Sequence, residues 1–352
     1  MKTDILIVGG GLSGLALAQG LTEQQRDFQL IEARDRFGGR ILSKNLDNEA
    51  YDLGPAWFWE GQPRIAALIA KLGLSHFEQY AKGALTYEDE NGYVERGRGF
   101  SSMAGSYRLQ GGLSALVSAL VDALAADRLH LLTSLSKLIK TETGITAQTA
   151  TGESITANHV VLALPPRLAS QFTFTPALPS TAHKAMDKIA TWMAGQAKAV
   201  AVYDTAFWRE EGLSGDAMSR RGPMVEIHDA SGSAAKEDHA LFGFIGVAPQ
   251  HRTDQSALKD ALIQQLTRIF GPKAATPKAL FLQDWAFDPN TSTALDLQPL
   301  YAHPHYGMPP ALDNLWDGAL VFSGTETAQG FGGYIEGALE AAETTLIRLS
   351  EN

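Results

Sequence analysis

The sequence contains no cysteine. Disulfides, a thiolate nucleophile and cysteine-ligated metals are therefore excluded, and the fold must rest on its core. Basic residues are in deficit, with 29 Lys and Arg against 39 Asp and Glu and a formal charge of −10. A chain of that sign repels a phosphate backbone, and no basic run offsets it, so no nucleic acid partner is expected. Long apolar runs are also missing. Stretches such as Ala115 to Ala126 are short and carry Asp122, so no membrane span or membrane partner is expected. A first strand expected from Asp4 leaves no room for a leader peptide, and a soluble, cytoplasmic protein is the default expectation. His303-Pro304-His305 is the one close histidine pair; without a carboxylate pattern beside it, a solvated loop is expected rather than a metal site.

What is present suits a globular enzyme. The 352 residues are 45% hydrophobic and 19% charged, enough for two closely joined domains. Ile5-Leu6-Ile7-Val8 reads as a strand buried on both faces. It runs into Gly9-Gly10-Gly11-Leu12-Ser13-Gly14 and then a helical stretch, Leu15 to Leu21. Gly9 permits a tight turn, Gly11 lets the backbone approach a pyrophosphate, and Gly14 lets helix and strand pack closely. A second strand, Phe28 to Ile31, ends at Glu32, placed to accept hydrogen bonds from ribose hydroxyls. Strand, glycines, helix, strand and acid in this order imply a dinucleotide site.

The next segment, Arg34-Asp35-Arg36-Phe37-Gly38-Gly39-Arg40, can close glycine backbone and a guanidinium over a pyrophosphate; by composition it is equally a basic surface turn. Near the C-terminus Leu320-Val321-Phe322 is strand-like. Gly330, Gly332 and Gly333 allow close backbone approach, and a helical pattern runs from Tyr334 to Leu349. Asn158 to Leu164 is another buried strand; Leu129 to Lys140 and Gly144 to Thr156 suggest an antiparallel ribbon. Lys198 to Tyr203 and Ala240 to Gly246 are expected in a second sheet, with a helix from Gln255 to Phe270.

These blocks, together with Tyr51-Asp52-Leu53-Gly54-Pro55-Ala56-Trp57, Leu109 to Leu116, and Phe322 to Ala328 followed by Gly333 to Ala338, resemble the flavin monoamine oxidase and polyamine oxidase family across most of the chain. The resemblance implies an α/β fold, a Rossmann-type FAD-binding domain with an interleaved α+β substrate domain and a reduced helical part. The FAD-binding domain is expected at 1–60, 104–187 and 288–352, and the substrate domain at 61–103 and 188–287. Cofactor contacts are implied for Gly9, Gly11, Gly14, Glu32, Arg34, Gly38, Gly39, Arg40, Gly54, Pro55, Ala56, Trp57, Leu135, Trp285, Gly324, Thr325, Glu326, Gly333 and Ile335. Pro55 stands where the family usually has a second glycine.

Two residues carry the implied catalytic roles. Lys198, a charge that composition alone would leave in solvent, matches a family lysine that holds a water against flavin N5. Tyr334 matches one wall of an aromatic cage beside the ring. The family's opposite cage position falls near Leu295, and its flavin-tethering cysteine near Ala294, so the cage is half built and the FAD is expected to be non-covalent. Trp57, Trp59, Leu295 and Phe331 are expected in the substrate cavity.

The implied reaction is FAD-dependent oxidation of a small-molecule amine to an imine, a hydride equivalent passing to flavin N5 and molecular oxygen becoming hydrogen peroxide. A flavin enzyme acting on an amino acid, a nicotinamide-type or an unsaturated apolar compound is the alternative, and a flavin-binding scaffold without turnover is the non-enzyme one. An amino acid would require a cavity arginine, with Arg98, Arg108 and Arg209 available. The interval from Asp52 to Gly111 is short for the family, so a reduced roof and a more open or shallower entrance are expected, with a homodimer partner as one way to complete it.

Overall fold

The computed structural model describes residues 1–233, 238–298, 300 and 302–351. Its first sheet is centred on Lys2–Val8, which pairs in parallel with Phe28–Ile31 on one side and Ser154–Leu162 on the other. Leu320–Phe322 adds in parallel to the end of Ser154–Leu162. The strand ends Val8, Ile31, Leu162 and Phe322 therefore lie along one edge, where open α/β sheets place their ligands. Apolar side chains cover both faces, as the uninterrupted Ile5–Val8 run requires. One face packs on helices Leu12–Glu23, Leu113–Asp122 and Ile335–Glu351 through Leu15, Leu116, Leu120 and Leu339, all buried. The other packs through Leu138, Ile145, Leu178 and Met186.

The second sheet runs in the order Ala279–Asp284, Ala197–Tyr203, His239–Ile245, Met224–Asp229, Leu213–Ser219, Ala84–Glu88, Val94–Arg96. Helix Gln255–Phe270 closes one face, its Leu262, Leu266 and Ile269 packing on Ala197, Ala199 and Ala201. The opposite face carries Val200, Val202 and Phe242 against Tyr51, Leu53 and Trp57. Because side chains alternate along a strand, Lys198 shares this second face and points toward the Gly54–Trp57 segment. A strand feature that looked like solvent exposure is thus a direction into the molecule.

Several local expectations need correction. The first strand begins at Lys2, because its register with Thr156 extends the parallel pairing. The ribbon is three strands rather than two: Leu135–Thr141, Gly144–Thr149 and Ser154–Leu162 pair antiparallel in turn. Leu129–His130 belongs elsewhere, parallel to Phe28–Ile31. Between Asp52 and Gly111 the one helix is Pro63–Lys71, and it packs against the C-terminal helix instead of over the cavity. The buried Glu336 carboxylate fixes it there by accepting the N–H groups of Arg64 and Ile65 at 3.0 and 2.9 Å. Among the described residues no helix is long and apolar enough to cross a membrane.

Candidate functional site

A cavity of about 740 Å³ runs from the strand ends of the first sheet to the Lys198 face of the second. At its first end the site is made of backbone. The N-terminus of Leu12–Glu23 follows Gly11 and has no side-chain cap, so its leading N–H groups remain available for an anion. The Gly38–Gly39 turn lies directly against it. Gly38 donates to the Gly10 carbonyl at 2.8 Å, and a Cβ on Gly39 would come within 3.2 Å of the Gly11 Cα. Gly38 and Gly39 adopt φ of +104° and +57°, which side-chain-bearing residues resist. Arg36, passed over in the sequence, braces this turn by donating to the carbonyls of Phe37, Gly39 and Ile41.

Glu32 is buried beside this turn. Its two oxygens accept the N–H groups of Gly10 and Arg34 at 2.8 and 2.9 Å. The Arg34 guanidinium is held by Asp288 and Thr291, both at 2.8 Å. Arg40 reaches the fully buried Glu326 at 2.7 Å. Burial opposes the guanidinium charge, but the Glu326 carboxylate outweighs it and raises the pKa. Apart from this ion pair neither Glu326 oxygen has a hydrogen-bond partner. Two glycine turns pressed against each other and an uncapped helix start fit a pyrophosphate, and the Glu32 carboxylate at the strand end fits the hydroxyls of an adenosine ribose.

The other end is made of side chains. Lys198 is 5% exposed and donates from Nζ to the Gly54 carbonyl at 2.6 Å. Its Nζ lies 5.4 Å from the Phe244 ring centroid. Burial pushes its pKa down to about 8, against the pull of the nearby Asp52 carboxylate. Asp52 is itself pushed up to about 6 by burial; its Oδ1 accepts from Ser43 and from the Leu113 N–H, while Oδ2 has no partner. Trp57 donates through Nε1 to Gln79 at 2.8 Å and stands edge-on to Phe242. Trp285 anchors the same loop by donating to the Leu53 carbonyl at 2.9 Å. Tyr334 is 38% exposed and stacks on His303 at 5.0 Å and 14°. The Thr325 hydroxyl holds the preceding turn, accepting from the Gly333 N–H and donating to the Tyr334 carbonyl.

The cavity lining brings together most of the expected positions: Gly9, Gly11, Glu32, Arg34, Gly38, Gly39, Arg40, Gly54, Pro55, Ala56, Trp57, Trp59, Leu135, Lys198, Trp285, Gly324, Thr325, Gly333, Tyr334 and Ile335. Gly14 and Glu326 lie behind it. Gly14 is where the helix meets the glycine turn, since a Cβ there would stand 2.0 Å from the Gly9 carbonyl oxygen. The two remaining expected positions, both assigned to the substrate cavity, also lie outside the lining. Leu295 is 50% exposed on a short turn, Ala294–Asp296, pinned by the Thr293–Asp296 capping box and by Arg167. Phe331 sits in a loop drawn toward the C-terminal helix, where the Glu340 carboxylate accepts the Gln329 and Gly330 N–H groups.

Trp192, Met193, Met103 and Phe244 line the aromatic end without having been anticipated. Only the alternation around Lys198 in the paired strand, Lys198↔Phe244, could have pointed to one of them. None of the three arginines considered for a carboxylate lines the cavity. Arg98 pairs with Glu95, Arg108 donates to the Ser231 carbonyl, and Arg209 is bidentate on Asp229. His303 packs on aromatic rings, and no metal-ligating cluster occurs among the described residues.

The family model described as flavin containing amine oxidoreductase matches residues 12–100 and 94–345. The chain is 23% identical to a probable flavin-containing monoamine oxidase A of Dictyostelium discoideum, over 96% of this chain and 95% of the relative. That alignment spans 447 positions, more than the 352 residues here, so the relative carries segments this chain lacks. In structure it is similar to putrescine oxidase bound to putrescine (TM-score 0.83, 21% identity, 100% of both chains). It is also similar to cyclohexylamine oxidase from Brevibacterium oxydans IH-35A (TM-score 0.81, 21% identity, 99% of both chains). With a family model covering most of its length and a dinucleotide cradle opening onto a buried lysine, the chain belongs to the flavin-containing amine oxidoreductases and is an FAD-dependent oxidoreductase.

Proposed function

We propose that the protein oxidises a small amine to its imine, with non-covalent FAD as cofactor and molecular oxygen as the final acceptor. The observation that carries this reading is a single cavity joining the Glu32 cradle to an aromatic chamber past the buried Lys198. Glu32 would receive the ribose hydroxyls and the Gly11 and Gly39 turns the pyrophosphate. The start of helix Ile335–Glu351 would place its dipole where negative charge collects on reduction. When bound, FAD supplies a two-electron acceptor that takes a hydride equivalent from the amine and is reoxidised by oxygen with release of hydrogen peroxide. Cysteine is absent from the chain and no histidine occurs in the described lining, which supports a non-covalent cofactor.

The chain's own residues prepare the amine. Apolar walls at Trp57, Trp192 and Phe244 disfavour an ammonium and so release the lone pair. The Tyr334 ring attracts the cation on approach and then orients the neutral base. Lys198 donates one proton to the Gly54 carbonyl, and its others, directed to the cavity that Lys198 lines, would hold a water there. An amino-acid substrate finds no arginine at this end, since Arg34 and Arg40 stand at the nucleotide end with Asp288 and Glu326.

The test is spectroscopic. The purified protein should be yellow, release FAD into the supernatant on denaturation, bleach when mixed anaerobically with members of an amine panel, and regain colour in air with peroxide formed. Released FAD that no amine bleaches defeats the reading.

A further inference from the structure

Behind the aromatic chamber lies a second buried polar group that the reaction does not use. His228, 2% exposed, sits between two carboxylates: Nδ1 is 2.9 Å from Asp216 Oδ1 and Nε2 is 2.9 Å from Glu226 Oε1. Ionised carboxylates only accept, so a ring bonded at both nitrogens must donate from both and is an imidazolium. Burial disfavours that charge, but the bonds and charges of Asp216 and Glu226 outweigh it and raise the His228 pKa. These two carboxylates are the charged groups facing the ring; Trp57 and Phe244 meet it edge-on at 5.5 and 6.4 Å.

The same carboxylates hold a loop. Ser101 donates its hydroxyl to Asp216 and Ser102 donates its hydroxyl to Glu226. The next residue, Met103, lines the cavity, and so does Trp57. His228 thus ties the Ser101–Met103 strap and the edge of Trp57 to the second sheet from three elements distant in sequence.

We propose that His228 is a positioning residue for the amine site, an imidazolium clamp that fixes Met103 and Trp57 as the chamber wall. Its role in the reaction rests on the amine oxidase reading above; the strap itself does not. When the ring loses its proton, one carboxylate loses its donor and the two negative charges face each other across a neutral imidazole. The strap then loosens, the chamber wall is no longer fixed, and amine binding weakens while the chemistry at the cofactor is spared.

The experiment uses the flavin-loaded protein and two variants, His228→Gln and the double variant Ser101→Ala/Ser102→Ala, which cuts the strap without touching the ring. Amide hydrogen exchange over residues 99–106 is followed against pH, corrected for intrinsic exchange. Steady-state kinetics use benzylamine, n-butylamine and n-hexylamine. Both variants should lose protection over 99–106 at a pH where the native protein keeps it, and the native protein should lose it only as pH rises past the ordinary histidine range. Both should raise the amine KM about fivefold, with kcat within about twofold, because the bonds lost brace the chamber wall and do not touch the cofactor. Protection unchanged in both variants overturns the clamp. Protection lost with KM unchanged overturns its role in the amine site. If no amine reduces the flavin of the native protein, the oxidase reading fails and the positioning role with it, while exchange still reports whether the strap exists.

Discussion

The two ends of the cavity are built from different material. The nucleotide end is framed by backbone: glycine turns, N–H groups and an uncapped helix start, drawn chiefly from residues 9–40, with Glu32, Arg34 and Arg40 as the side chains set into that frame. The aromatic end is side chains gathered from Trp57, Met103, Trp192, Lys198, Phe244 and Tyr334, which are scattered over most of the chain. A backbone site tolerates no substitution where two main chains touch, whereas a side-chain site can be rebuilt at any position that faces the cavity. The first end should therefore fail abruptly on mutation and the second by degrees.

The largest effect should follow Gly14→Ala. The new Cβ would lie 2.0 Å from the Gly9 carbonyl oxygen, and backbone cannot swing away as a flexible side chain can. Relief requires the helix start to move off the glycine turn, at a cost on the order of 1–3 kcal/mol in stability. The protein should purify with little bound flavin and a Tm lowered by several degrees. A yellow variant with native Tm would break the contrast between the two ends.

Lys198→Met comes next, because among the described lining residues Lys198 is the one cation of the aromatic end. Loss of a positioned proton carrier is expected to slow flavin turnover by about 10²-fold. The pH dependence has a definite sign. Below pH 8 the Nζ carries its charge and, under the proposed function, would stabilise negative charge developing on oxygen; as pH rises through about 8 the proton leaves and that stabilisation would be lost. Reoxidation by air should accordingly fall as pH rises through this region in the native protein and be flat in the variant. Stopped-flow reoxidation that is equally fast with methionine removes Lys198 from the mechanism.

This division also explains what was legible in the sequence. Gly9, Gly11, Gly14 and Glu32 could be read because a main-chain turn demands particular residues at fixed spacing, and the Lys198 strand was visible as an apolar run. Whether Lys198 faced solvent or cavity was not legible from composition; the resemblance suggested the cavity, and the strand's register supplies the reason. Trp192 and Met103 could not be found because each stands in irregular chain with no periodicity, and their use depends on tertiary contacts from other segments. The three-strand ribbon was misjudged for a related reason: alternation marks strands but not where a turn divides them.

The chamber's walls lead to a smaller effect on substrate choice. Glu32 is the one acid among the described lining residues, and it serves the nucleotide end. A second ammonium in the aromatic end would meet rings and thioethers without an anion, and ring attraction only partly replaces lost hydration. For amines of equal length, n-butylamine should exceed 1,4-diaminobutane in kcat/KM by about tenfold, near 1.4 kcal/mol. A diamine preference would show that the chamber is wetter than its lining suggests.

The smallest effect sharpens the comparison most. The family resemblance aligned Leu295 with the wall opposite Tyr334, yet the turn Ala294–Asp296 leaves its side chain half exposed and outside the cavity. Trp192 lines the cavity instead, its ring 4.9 Å from the same His303 that stacks on Tyr334. Removing an exposed side chain usually changes stability by no more than about 0.5 kcal/mol, and a residue outside the chamber has no substrate contact to lose. Leu295→Ala should leave kcat/KM for every amine within about twofold, while Trp192→Ala, which deletes a wall, should raise KM. If the two variants exchanged behaviour, with Leu295 the sensitive position, the alignment would describe the wall better than the geometry, and the aromatic end would have to close over the substrate by moving the Ala294–Asp296 turn inward.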